Sequence, residues 1–257
     1  MSKLRDRLER AASGPARPLG FSAGSRDVTP ALAIIASFAK PTGKSLKAAV
    51  DAGAEFILVN GASAVKSPPK TGDAQWGAMV DGLTDSDLAK LREAGCDFLF
   101  VSLGETPVGL LNDESIDYFG IVPADTDERR LRAIERLPFE GSLIEVEPGE
   151  SLTIEQAIEY AAAASRLTGH LLARASLSWG AGEMEQLRDM GFGGVVVDVK
   201  DARQAANVAD LREAVMAVPS QPRRRRSRAS ARLPQSQGGT TAPPPDDGDD
   251  DDDFDDE

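Results

Sequence analysis

Polar side chains close most of the short apolar runs in this chain. Lys40 ends SFAK, Asn60 ends LVN, Ser102 and Glu105 follow FLFV, and Asp125 follows IVPA. Further along, Glu145 and Glu147 end SLIEVE, Arg174 and Ser176 end HLLARAS, and Asp198 and Lys200 end VVVDVK. If these runs are β-strands, successive side chains point to opposite faces. Ile144 and Val146 then share one face, and Leu143, Glu145 and Glu147 the other. The same alternation groups Leu172, Arg174 and Ser176, and also Val196, Asp198 and Lys200. Acids, an arginine and a lysine are thereby expected on one shared inner face.

Such a set has several uses. Crowded carboxylates hold Mg²⁺ or Mn²⁺ through oxygen. A carboxylate of raised pKa serves as a general base. A desolvated Lys200 forms a Schiff base or holds an anion. Glu145, Glu147, Asp198 and Lys200 are therefore the candidate catalytic groups. Arg174, Ser176, Lys40, Asn60 and Asp125 are candidates for substrate binding, together with Gly180 and Gly182. A purely structural role stands beside this reading: Glu145 and Arg174 fall on consecutive runs, and a charge taken out of water needs a partner. The chain has one histidine and one cysteine, His170 and Cys96. That argues against zinc chemistry, Cys–His catalysis and a Ser-His-Asp triad. His170 starts its run, at the end away from the polar cluster. Cys96 reads as a small buried residue.

The elements that must position these groups follow a recurring phrase. A helical segment ends in glycine and an apolar run follows at once: LKAAVDAGAEFILVNG, LAKLREAGCDFLFVSLG and MEQLRDMGFGGVVVDV. Gly53, Gly95 and Gly191 stand where a helix C-terminus needs positive φ. The continuous apolar runs suit parallel strands covered by helices. Seven strands are expected near 32–38, 55–60, 97–103, 118–123, 142–147, 170–176 and 193–199. Residues 18–22 (PLGFS) are a weaker eighth, placed first. Thr153 and Gln156 have capping-box spacing, which predicts a helix over 153–167. A last helix is expected over 202–218. Strand–helix alternation predicts a (β/α)8 barrel, with a doubly wound open sheet as the other topology. No GxGxxG follows the first strand. Residues 61–82, rich in Gly, Pro and Lys, read as a long loop: a lid, or a plain surface excursion.

The whole reads as an N-terminal helical segment (1–17), a barrel domain (18–220) and a disordered polyampholyte tail (221–257). The tail carries six Arg, clustered over 223–232, against nine Asp and one Glu over 246–257. Its net −4 leaves −9 for residues 1–220, out of −13 for the chain. An acidic body argues against nucleic acid as the barrel's partner. The tail reads as a solubilising appendage or as an arm that recruits a protein partner. Aromatics make up only 5% of the chain, so a core of Ala, Val, Ile and Leu is expected. The charged N-terminus lacks the apolar stretch of a secretory signal, and no run is long enough for a membrane span. A cytoplasmic location is expected.

AAVDAGAEFILVNG and LRDMGFGGVVVDV resemble stretches of phosphate-binding (β/α)8 (TIM) barrel enzymes. The resemblance implies a phosphate held on backbone amides after the last two strands. Gly180 and Gly182, in SLSWGAGEMEQL, match that pattern in type. The last strand departs from it: VDVKDA places Asp198 where a phosphate would be repelled, with Lys200 able to offset the charge. FMN is a cofactor that such barrels carry, and Arg174, Lys200 and the Gly180/Gly182 loop are placed to hold its phosphate. The function expected is that of a lyase or isomerase acting on a small anionic metabolite, phosphorylated or an oxo-acid. A non-catalytic scaffold whose tail recruits a partner is the other reading.

Overall fold

The computed structural model describes residues 2–13, 30–66, 68–69, 71–72 and 74–219. Eight parallel strands close into a barrel in chain order. They are β1 (Ala33–Phe38), β2 (Phe56–Asn60), β3 (Gln75–Val80), β4 (Phe98–Ser102), β5 (Asp117–Pro123), β6 (Gly141–Glu145), β7 (His170–Ala175) and β8 (Phe192–Asp198). Helices α1 (Lys3–Ser13), α2 (Gly43–Asp51), α3 (Ala62–Lys66), α4 (Asp85–Glu93), α5 (Glu128–Ile134), α6 (Ile154–Ala164), α7 (Ala181–Asp189), α8 (Ala202–Ala206) and α9 (Val208–Met216) accompany them, with a 3-10 turn at Val108–Asn112 between β4 and β5. The expected 202–218 helix is thus two helices that meet at Asn207.

The helix ends obey their local chemistry. Thr153 caps α6 in a capping box with Gln156. Gly53, Gly95 and Gly191 all adopt positive φ, at 103°, 77° and 97°. Each lets a helix stop and the chain turn at once into a strand.

The eighth strand is not where the sequence pointed. Residues 75–80, inside the segment read as a loop, form β3 between β2 and β4. Both edges of β1 are taken, by β2 and β8. The wall therefore closes without residues 18–22, which lie outside the described residues, as does the 221–257 tail. β3 was hard to read because Gly77 interrupts its apolar character. A side chain there has no room: a Cβ would sit 2.3 Å from the Phe98 ring.

Two apolar layers result. The outer one, between strands and helices, is mostly Ala, Val, Ile and Leu, as the composition predicts. The lumen is different. Phe56, Phe98, Phe100 and Phe119 fill it with Ile35, Leu58, Leu143, Leu172 and Val196. Phe98 meets Phe56, Phe100 and Phe119 edge-on at centroid distances of 5.9, 5.7 and 6.4 Å. Four of the nine phenylalanines lie on the axis, and both tryptophans and both tyrosines belong to the outer layer.

The N-terminal end of the barrel is plugged by α1. Leu4 and Leu8, one helical turn apart, are fully buried in the lumen cluster. The first amides of α1 find carboxylates on the barrel floor. Lys3 and Leu4 donate to Asp97 at 3.0 and 3.2 Å, and Ser2 donates to Asp117 at 3.0 Å. Arg7, 4% exposed, forks onto Glu55 and also reaches the carbonyls of Pro30 and Leu32. Anions at a helix N-terminus are favourable, so this end is held by charge as well as by leucine. Cys96 is buried, and burial pushes its thiol up to about 12, leaving an inert thiol.

Candidate functional site

With one end plugged, the C-terminal mouth is the open face, and this is where (β/α)8 enzymes carry their sites. β6, β7 and β8 bring their last inward residues together there. Ile144 pairs with Ala173 and Arg174 with Val196, which sets Glu145 beside Arg174 and Asp198 one inward step further on. Arg174 donates through Nε and Nη2 to Glu145 Oε1 at 3.3 and 3.0 Å. Its Nη1 donates to Asp198 Oδ2 at 2.7 Å. Its Nη2 also lies 3.9 Å from Met79 Sδ, on the opposite wall. The guanidinium therefore roofs the apolar lumen. Its backbone is fixed from outside, where Tyr160 on α6 donates its hydroxyl to the Arg174 carbonyl. Burial raises the Tyr160 phenol well above its ordinary value and keeps it a donor.

The neighbouring strands add weaker polar groups. Asn60 Nδ2 donates to Ser37 Oγ at 2.9 Å, and Ser37 is paired in register with Asp198. Asn60 Oδ1 is enclosed and has no partner. Ser102 is half-buried at the end of β4, and Glu105 is exposed beyond it.

The remaining sequence candidates lie on the rim. Glu147, two residues past β6, is exposed, and its carbonyl accepts from Gln156 Nε2 at 2.7 Å. Lys200 is exposed and its amide donates to Gln204 Oε1. Lys40 and Asp125 are exposed as well. Among the described residues no ion pair joins these four to the Glu145–Arg174–Asp198 group. Ser176 exchanges a hydrogen bond with Ser178, which in turn donates to the Glu150 carbonyl. Buried Trp179 donates to the Gly149 carbonyl, so the loops after β6 and β7 are latched together. No cluster of three or more His, Cys, Asp or Glu suited to a metal occurs among the described residues. His170, at the opposite end, is held below its ordinary pKa chiefly by burial.

Gly180 and Gly182 stand where the resemblance expects a phosphate site, at the start of α7, and both are exposed. The Gly180 amide already donates to the carboxylate of Glu183 at 3.1 Å. At α8, Asp201 takes the amides of Arg203 and Gln204, each at 2.9 Å. The starts of α7 and α8, the helices that follow the last two strands, each carry a carboxylate from the chain itself. Sequence reasoning missed these two caps, although Gly-x-x-Glu and Asp-x-x-Gln spacings were in view. A separate cavity of about 270 Å³ opens on the outer wall, lined by Ile34, Val50, Glu55, Arg212 and Val215, away from the mouth.

No protein-family model matches the chain, and no curated relative matches it. Solved structures do. A mutant tryptophan synthase alpha-subunit from Pyrococcus furiosus is 14% identical, with a TM-score of 0.54, over 70% of this chain and 98% of that one. Tryptophan synthase from M. tuberculosis is 14% identical, with a TM-score of 0.54, over 72% and 93%. A thiamine phosphate pyrophosphorylase from Pyrococcus furiosus is 14% identical, with a TM-score of 0.51, over 72% and 95%. At such identity the likeness is one of fold, and it agrees with the strand order: the chain is a (β/α)8 barrel of the TIM type.

Proposed function

We propose that the chain is a small-molecule enzyme of lyase or isomerase type, working at the barrel mouth. Glu145 and Asp198 exchange a proton with the substrate, and Arg174 holds both carboxylates in position. Glu147 and Lys200 act from the rim, on the part of the substrate that faces solvent. The observation that carries this reading is Arg174, bridging the ends of β6 and β8 at 3.0 and 2.7 Å. Arg174 is the largely buried member of the group, and drawing its charge out of water is a poor way to stabilise a fold, because desolvation offsets much of the attraction. Apolar side chains would roof the lumen at least as well. The group also occupies the face used by enzymes of this fold. An anionic metabolite binds here by exchanging with one of the two carboxylates on Arg174.

A second reading, the non-catalytic scaffold, has its own support. The amides that a phosphate would use are already occupied by Glu183 and Asp201. Melting of the full chain against a panel of small metabolites separates the two, since a native-state ligand raises Tm by mass action. The enzyme reading expects at least one compound to raise Tm in the wild type and to have no effect on R174M or E145Q. A panel with no active compound refutes it and leaves the scaffold.

A further inference from the structure

Helix α6 is apolar on two sides. On its inner side Tyr160 and Ala163 are buried in the outer core layer. Its outer side, continued by the C-cap, carries Ile154, Ile158, Ala161, Ala162 and Ser165, spaced three and four apart, and all five are exposed. Ile154 is 82% and Ile158 57% exposed, and Ile154 is the most exposed large apolar side chain among the described residues. A helix with one buried face turns polar residues to water, whereas a helix that is apolar all round is covered on both sides. Single apolar side chains on a surface need no cover, but these form one continuous stripe over three turns.

Two opposite charges flank the stripe, on the same side and three turns apart. Glu155 stands in the first turn and Arg166 one residue past the C-cap, and both are exposed. Arg166 meets Glu128 at 3.3 Å, a carboxylate it shares with Arg132, and Glu155 is in no ion pair among the described residues. Half-buried Glu159 stands further round the helix, away from the stripe. Turned end for end against a second α6, this pattern matches itself. With a two-fold axis level with Tyr160, Ile158 of each copy falls on Ala162 of the partner subunit, large on small. Glu155 of each copy then falls beside Arg166 of the partner subunit. A parallel pair would instead set each charge against its like.

We infer that the outer face of α6 is a contact surface for a second copy of this chain. The two helices pair antiparallel through Ile154, Ile158, Ala161 and Ala162, bracketed by two Glu155–Arg166 ion pairs between subunits. Such a contact buries roughly 1,000 Å² in all, below the about 1,200–2,000 Å² of a lasting complex, so the dimer is weak and exchanging, with a Kd of about 10–100 µM. The paired helix is also the one that holds the mouth from outside, with Tyr160 on the Arg174 carbonyl and Gln156 on the Glu147 carbonyl. The pairing does not depend on what the mouth binds.

The test is sedimentation velocity of the full chain from about 1 to about 300 µM, which brackets that Kd. The wild type should pass from monomer to dimer over this range. I158E, which buries two carboxylates in the contact, should weaken association by about tenfold or more. E155R and R166E should each weaken it by about threefold or more, because like charges then face each other. An equal mixture of E155R and R166E should associate as the wild type does, because a mixed pair has opposite charges at both ends. All three positions are exposed, so the variants should keep the native circular dichroism spectrum, which is checked first. A wild type that stays monomeric over the whole range overturns the inference. So does association that I158E leaves unchanged, as contact through residues 221–257 would. A mixture no more associated than either variant alone overturns the antiparallel pairing, and the inference with it.

Discussion

Replacing Gly77 by alanine tests whether β3 is part of the barrel wall and whether the lumen is packed as described. The added methyl would lie 2.3 Å from Phe98 Cδ2 and Cε2 and 2.6 Å from Cζ. The ring has to move, and it has nowhere easy to go, because three other phenylalanines meet its edges and faces. Overpacking of this kind costs about 1–3 kcal/mol. Each disturbed aromatic pair adds up to about 1 kcal/mol, and the better strand propensity of alanine returns roughly 0.5–1 kcal/mol. The net expectation is a loss of about 2–3 kcal/mol, or about 5–10 °C in Tm for a domain of this size. Urea unfolding followed by circular dichroism measures it. Gly43→Ala is the control, because that position opens α2 with no atom within 4 Å of a Cβ. It should be neutral or stabilising, by up to about 1 kcal/mol. F98L in the G77A background should recover part of the loss, with a coupling energy of about 1 kcal/mol or more. A G77A protein within about 0.5 kcal/mol of wild type refutes the placement of Phe98 over Gly77 and the β3–β4 pairing with it.

Two further outcomes follow from the plugged end. Leu8→Ala should cost about 2–4 kcal/mol in urea unfolding, because Leu8 is fully buried in the lumen cluster; a surface helix would lose under about 0.5 kcal/mol. His170, the chain's one histidine, is pushed below its ordinary 6.5 by burial, so the unfolded chain takes up its proton first as pH falls. The stability this group contributes is therefore present above pH 6.5 and lost as pH falls toward the folded value. H170Q should flatten that part of the stability–pH curve between pH 7 and pH 5, and equal slopes in the two proteins would mean that the imidazole is not desolvated.

Much of the fold was legible because its signals are local. A glycine that stops a helix and an apolar run that follows within two residues need no knowledge of the rest of the chain. β2, β4, β7 and β8 carry that signature, and β1, β5 and β6 are continuous apolar runs. β3 is neither. Its outward residues Trp76, Ala78 and Val80 alternate with Gln75, Gly77 and Met79, a period-2 pattern in a stretch flanked by SPPK and DG. The reason for Gly77 lies on β4, more than 20 residues away, in the ring of Phe98. The plug was half legible in the same sense. Leu4 and Leu8 mark a helical face, but its receptor is assembled from Glu55 and Asp97, just before β2 and β4, and Asp117, which opens β5.

The site divides along the same line. Alternation along strands and the order of β6, β7 and β8 suffice to put Glu145, Arg174 and Asp198 on one inner face, since all three are nearest or next-nearest neighbours. The sign of the site needs more. Gly180 and Gly182 before α7 suggest open amides, yet an amide is open only if no acceptor within reach has already taken it. Glu183 stands three residues beyond Gly180, at the spacing that closes a cap, and Asp201 does the same for α8 from the cap position itself. In the same way, Arg174 reads as an anion receptor until its two carboxylates are counted with it. Glycines and arginines mark where an anion can be held. Whether it is held there depends on the acids at the helix cap, three residues along the helix or one strand across the wall, and here an anion binds at any of the three positions only by displacing one of those acids.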